Sequence, residues 1–398
     1  MKILMLCNKS PYPPKEGGPI AMNMIIEGLI NANHQVKVLA INTNKYFTNI
    51  NEIPEEYRKK TNIEAVYIDL SIKPLDAFLN LFTNKSYHVQ RFISKNFENK
   101  LIEILKNESF DIIQLETLFI TPYIETIRKY SKAKIVLRAH NIEHLIWERV
   151  ASICKNPVKK FYLNHLSRTL KNYEISSLNK YDGIAGITKK DAGYFKNHNL
   201  KIPTIDISFG IDPEKFSGYE SDYEFPSLFH IGAMNWIPNE EGIRWFLENA
   251  WKKINNHFPD LKFYLAGREM PDWLINCTYP NVVVLGEVDD AKEFITSKAV
   301  MIVPLFSGSG IRIKIIEGMA LGKTIISTKI GAEGINYENG KNILIANSAD
   351  EFFEAVKKCV ETRDLCDNIG KNAKKLISDQ HNNKKIIQRL VKFYEEIL

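Results

Sequence analysis

At 398 residues and 44% hydrophobic content the chain exceeds the usual size of one core, so two domains are expected. Its net charge of +6, from 53 Lys and Arg against 47 Asp and Glu, is mild and dispersed; it argues against a nucleic-acid partner and suits an acidic ligand or an anionic membrane face. Five scattered cysteines lack metal-ligand spacing and their odd number is poor material for a disulfide framework, so a cytosolic setting is expected.

The first residues, MKILMLC, are too short for a signal-peptide core and run into NKSPYPP, a strand entering a loop. No apolar run is long enough to cross a bilayer. In chain order, KILMLC, HQVKVLAI, EAVYIDL, DIIQLE, KIVLRA and GIAGIT read as strands separated by longer amphipathic stretches. PSLFHIG, LKFYLAG, NVVVLG, AVMIVPLF and KTIIST repeat the scheme. This alternation predicts an α/β fold of two doubly wound domains. The join is expected near KNHNLKIPTIDISFGIDPEKF, where helical spacing stops and Pro203, Gly210 and Pro213 interrupt the chain. The expected spans are 1–205 and 206–377, with a terminal helix over 378–398 crossing back to the first domain.

Ligands in such sheets bind beyond the carboxyl ends of strands, so the loops there carry the information. After the first strand, Gly17 and Gly18 precede a helix, and their missing Cβ atoms let backbone N–H groups approach an anion; a tight turn is the alternative. The loop is not Gly-x-Gly-x-x-Gly, so an ordinary dinucleotide fingerprint is missing. His140 ends the fifth strand, as either a catalytic group or a satisfied polar residue, and Asn141 is expected to cap the next helix. In HIGAMNWIPNEEGIRWF, Asn239 is the expected N-cap, with Glu240 and Glu241 in the first turn. Trp236 either lines a pocket or packs.

The most informative loop is SGSGIRIKIIEGMALGK, which places Arg312 and Lys314 in the first turn of a helix. There the macrodipole penalises a cation by about 0.3–1 kcal/mol unless an anion sits beside it. Glu317 has apolar neighbours and needs hydrogen-bond donors. It either pairs with Lys314 three residues earlier or accepts from ribose hydroxyls while Arg312 and Lys314 hold a diphosphate. The second reading explains the three charges and the glycines, Gly310 included, together.

GSGIRIKIIEGMALGKTIIST, with GAEGI and YENGKNILI, resembles the donor-binding segment of glycosyltransferase family 4, retaining nucleotide-sugar enzymes of the group 1 type with the GT-B fold. SPYPPKEGGPIAMNMIIEGLINANHQVKVLA and ISFGIDPEKF extend the likeness over nearly the whole chain. The resemblance implies two Rossmann-like domains facing a central cleft, acceptor-side first and donor-binding second. Glu317 matches the second glutamate of the family's pair, which holds the ribose. Gly17 and Gly18 match the loop near the donor phosphate and sugar, and His140 matches the histidine beside the transferred sugar. Val288 supplies candidate backbone contacts to the base. Two departures stand out. Ser309 falls where the first glutamate would be, and Ala233 and Glu241 replace the usual phosphate-binding Arg and Lys. Arg312 and Lys314 are the proposed substitutes.

The implied activity is retaining transfer from a nucleoside-diphosphate sugar to a saccharide or lipid-linked acceptor hydroxyl, in bacterial-type surface polysaccharide or glycoconjugate assembly. No cofactor or metal is called for, and peripheral association with the inner membrane face is expected. Three other classes compete. They are a nucleotide-sugar epimerase of the same architecture, a nicotinamide oxidoreductase, and a non-catalytic two-domain ligand-binding protein.

Overall fold

The apolar run Lys2–Cys7 forms β1, the pivot of a parallel seven-stranded sheet in the computed structural model, which describes residues 1–14, 17–198, 201–219, 222–308 and 310–398. The other strands are β2 (Gln35–Asn42), β3 (Glu64–Tyr67), β4 (Ile112–Glu116), β5 (Lys134–Ala139), β6 (Gly183–Gly186) and β7 (Thr204–Asp206). Their order is β3-β2-β1-β4-β5-β6-β7, so the chain reverses direction across the sheet at the β1–β4 boundary. Residue parity fixes the two faces. Leu4, Leu6, Leu39, Ile41, Ile113 and Leu115 enter one buried cluster. Ile3, Met5, Cys7, Val38, Ala40 and Ile112 enter the other. Burial on both faces explains why these strands read as continuous apolar runs rather than alternating ones.

The second face is closed by the last helix, Asn383–Ile397, whose Ile386, Ile387, Leu390, Phe393 and Tyr394 are buried with β1 and β2 side chains. It crosses helix Gly17–Asn31 at Gly28, where a Cβ would stand 2.4 Å from Ile387 Cγ1, so only glycine permits that approach. One unit is therefore Met1–Phe209 with Asn383–Leu398, and the other is Gly210–Asn382.

The second unit repeats the plan with β8 (Glu224–Ile231), β9 (Lys262–Ala266), β10 (Val282–Gly286), β11 (Lys298–Val303), β12 (Thr324–Ser327) and β13 (Leu344–Ile345). The order is β10-β9-β8-β11-β12-β13, again parallel, with its reversal between β8 and β11. Its core gathers Phe246, Trp251, Phe263 and Phe352, and Trp251 Nε1 donates to Pro280 O at 2.9 Å. Among the described residues no helix is long and apolar enough to cross a membrane.

Candidate active site

In the first unit the reversal point collects charge. Glu116 ends β4 and Arg138 lies in β5, directly opposite in register, and both are fully buried. Arg138 Nη1 donates to Glu116 Oε2 at 3.1 Å. His140, just past β5, donates from Nε2 to the same oxygen at 2.5 Å. Gln114 Nε2 donates to Glu116 Oε1 at 2.5 Å, and the Tyr394 hydroxyl of the last helix donates to Gln114 Oε1. Burial pushes the Glu116 carboxyl up, but Arg138 and then His140 and Gln114 outweigh it and hold it at about 2. The His140 pKa is lowered, chiefly by burial, against the pull of Glu116. With Nε2 committed to Glu116, its Nδ1 is the atom left for other chemistry.

Lys9, in the loop after β1, adds to the cationic field on His140 and lies 4.4 Å over the Tyr46 ring. Helix Gly17–Asn31 starts beside it, and a Cβ on Gly18 would meet Lys9 Cε at 2.9 Å. Gly18, Lys9 and His140 thus belong to one neighbourhood, with Gly17 exposed at the helix start.

Asn141 does not cap the helix after His140. That helix is Glu143–Ile153, its N-cap is Ile142, and no side chain of the cap residue bonds it. The acceptor comes from helix Pro157–Ser177 instead: Glu174 Oε1 takes the Glu143 N–H at 3.0 Å and Oε2 the His144 N–H at 3.3 Å. The same Oε2 accepts from His144 Nδ1 at 2.5 Å. A buried carboxylate at a helix N-terminus satisfies both the open donors and the dipole.

The second unit places Arg312 and Lys314 after β11, at its own reversal point. Arg312 is the N-cap of helix Ile313–Ala320 and Lys314 its second residue. Arg312 is 5% exposed, its Nη1 donates to Gly310 O at 2.5 Å, and its guanidinium sits 5.3 Å over Trp236. Trp236 is thus both partly exposed and the platform for a site cation. Lys314 Nζ donates to Asn239 Oδ1 at 2.8 Å and to His230 Nε2 at 3.2 Å. His230, fully buried in β8, donates from Nδ1 to Ile302 O at 2.7 Å, which leaves Nε2 as the acceptor. Burial, then the nearby Lys314 charge, keeps its pKa well below the ordinary value. Burial, then Arg312, takes Lys314 down to about 7. A Cβ on Gly232 would lie 2.4 Å from Lys314 Nζ, so the ammonium fits there only because residue 232 is glycine.

Asn239 is therefore not an N-cap. The helix is Ile237–Phe246 with Trp236 at the cap, and Asn239 lies inside the first turn, its Nδ2 donating to Ala233 O at 2.8 Å. Nor does Lys314 pair with Glu317. Burial raises the Glu317 carboxyl to about 7 against a weaker pull from Lys292. Glu241 accepts from Ser307 Oγ at 3.2 Å and so anchors the loop that carries Gly310. Val288 lies half-buried between β10 and the short helix Ala291–Thr296. Ser309 lies outside the described residues.

Structure thus brings Arg312, Lys314 and Gly310 together, and links His140 and Gly18 only through Lys9. Glu116, Arg138, His230 and Asn239 were missed. Opposite charges at the ends of two otherwise apolar strands signal the first pair. The His230 and Asn239 contacts span 84 and 75 residues and leave no local trace.

Residues 225–362 match the model of the glycosyl transferases group 1 family. A Klebsiella pneumoniae protein described as an uncharacterised 44.6 kDa protein in the cps region is 20% identical over 98% of this chain and 99% of its own length. An uncharacterised glycosyltransferase of Methanocaldococcus jannaschii is 26% identical over 80% of this chain and 83% of its own. The crystal structure of Anabaena HepE in complex with UDP covers 100% of both chains, with a TM-score of 0.66 at 14% identity. Both sheets thus have the Rossmann-like form of the GT-B fold, and the second unit carries a glycosyltransferase domain; the protein is a glycosyltransferase.

Proposed function

We propose that this protein is a retaining glycosyltransferase of family 4 that takes its sugar from a nucleoside-diphosphate donor. The observation that carries the reading is the pair Arg312 and Lys314 at the start of one helix, two cations on the positive end of a dipole. A diphosphate placed there meets both cations and the helix N–H groups. UDP in the similar HepE structure supports a uridine nucleotide as the first candidate.

In this reading Gly310, Arg312 and Lys314 hold the diphosphate, Glu317 takes the ribose hydroxyls, Val288 offers backbone groups to the base, and Gly17, Gly18 and His140 meet the sugar. Ser309 belongs to the same donor set by its place in the sequence. The bond from the anomeric carbon to the diphosphate oxygen breaks with its electron pair going to that oxygen, and the cations stabilise the growing charge. The acceptor oxygen bonds to the anomeric carbon on the face the diphosphate leaves, and its proton passes to the departing phosphate. The acceptor is a saccharide, free or lipid-linked, the latter served by peripheral membrane association. Likeness to the cps-region protein favours surface polysaccharide assembly.

Calorimetry with UDP and uridine tests the assignment. Tighter binding of UDP by at least ~10-fold, about 1.4 kcal/mol, is expected, and equal affinities would remove its basis.

A further inference from the structure

Helix Pro74–Asn80 in the first unit is inside out: its one buried residue is Asn80, while Leu75, Phe78 and Leu79 are exposed. Beneath it lies a hollow of about 520 Å³, lined by Leu79, Asn80, Tyr87 and Arg91 among others, rather than core. Phe82 follows, edge-on to Phe78 at 5.6 Å. A second exposed apolar group, Ile153, Val158 and Phe161, lies where helix Glu143–Ile153 passes to helix Pro157–Ser177. Phe82 and these three are 70–78% exposed.

The elements that carry the two groups touch one another. His165 Nε2 donates to Asn80 O at 3.2 Å, and His88 stacks on Trp147 with ring centroids 4.2 Å apart. Charge follows the same segments. Residues 69–93 and 148–161 carry seven Lys and Arg against Asp69, Asp76 and Glu148, a net surplus of four positive charges. Apolar surface this exposed needs a cover, and the segments that carry it are rich in cations. A second copy would bring like charge against like.

We propose that this face docks on a bilayer containing anionic phospholipid. Phe78, Phe82, Val158 and Phe161 enter the boundary of headgroups and acyl chains, and Lys155, Lys159 and Lys160 meet lipid phosphates at the rim. This deepens the membrane association proposed above, and its test is independent of the donor site.

Full-length protein is sedimented with phosphatidylcholine vesicles, with and without phosphatidylglycerol, at low and high salt. Binding at least ~10-fold stronger to the anionic vesicles, weakened by salt, is expected. The double variants Phe82→Ser/Phe161→Ser and Lys159→Glu/Lys160→Glu should each lower it at least ~10-fold with unchanged melting, because the altered side chains are exposed. Absence of binding to anionic vesicles, or binding indifferent to both double variants, would overturn the proposal. So would a dimer in ultracentrifugation that Phe82→Ser dissolves while vesicle binding persists. UDP affinity, measured on the same proteins, reports the donor site separately.

Discussion

Lys314 Nζ lies 3.2 Å from His230 Nε2, and the ring nitrogen is the acceptor because Nδ1 is committed to Ile302 O. Both hydrogen-bond acceptors of the ammonium, His230 and Asn239, are neutral. The lysine is therefore located by partners that carry no counter-charge, and an anionic ligand would favour its protonated form.

A bound diphosphate should raise the Lys314 pKa from about 7, so binding near pH 8 should take up a proton. Calorimetry in two buffers of different ionisation enthalpy reads that proton. Lys314→Met should bind UDP at least ~10-fold more weakly with no uptake from this group, and turnover should fall further than affinity. Without ligand the sign is opposite to an ordinary ion pair. The folded pKa is below the unfolded value of 10.5, so this residue's contribution to stability rises with pH between about 7 and 10.5. Denaturant melts across that range should lose this increment in Lys314→Met.

Glu317 has its folded pKa raised to about 7, above the ordinary 4.5. Its contribution to stability is present below the unfolded value and is lost as pH rises through about 7. Ribose binding wants the ionised form, so uridine affinity should rise over the same interval. Glu317→Gln should flatten that profile, and Glu317→Ala should cost about 1.5–3 kcal/mol of uridine binding. A uridine affinity independent of pH in the native protein would assign the carboxyl another role.

Glu116 behaves in the reverse direction. Its folded value of about 2 lies below the ordinary 4.5, so its stabilisation is present above 4.5 and lost as pH falls toward 2. Glu116→Gln leaves Arg138 buried beside a neutral amide and should destabilise the first unit by about 3–5 kcal/mol at neutral pH. In urea melts the gap between the two proteins should narrow as pH falls from 7 to 3.

His140→Ala should slow sugar transfer while changing UDP affinity little, because the histidine belongs to the first unit and the cations to the second. The control is Glu116→Gln, which keeps the imidazole and alters its orientation. Normal transfer by folded His140→Ala protein would return the residue to a structural role.

Most strands were legible because parallel strands buried on both faces must be apolar throughout. The two that were not, Thr204–Asp206 and Leu344–Ile345, are too short to show a pattern. Helix starts failed for two different reasons. Pro238 in the first turn marks the helix start ahead of Asn239, a local signal outweighed by the preference of Asn for caps. The helix after His140 is capped by Glu174, thirty-one residues beyond Glu143, which no local rule can reveal. At the site, Arg312 and Lys314 were visible because cations at a helix start contradict the dipole. The groups that locate Lys314 were not, since a buried His or Asn looks like any other polar residue in sequence.

The last helix carries a further measurable consequence. Leu390 is fully buried against the first sheet's core, so Leu390→Ala should cost about 2–5 kcal/mol in the first unit and leave the second unit's melting unaltered.

During synthesis the same helix reverses the expected schedule. Gly210–Asn382 is continuous and can complete its sheet while the ribosome still holds the terminus, but Met1–Phe209 must wait for Asn383–Leu398 to emerge. The half made first is finished last. Until then the face that will receive Ile387, Leu390 and Phe393 stands open, so a messenger truncated before codon 383 would yield a sound second half tethered to an aggregation-prone first.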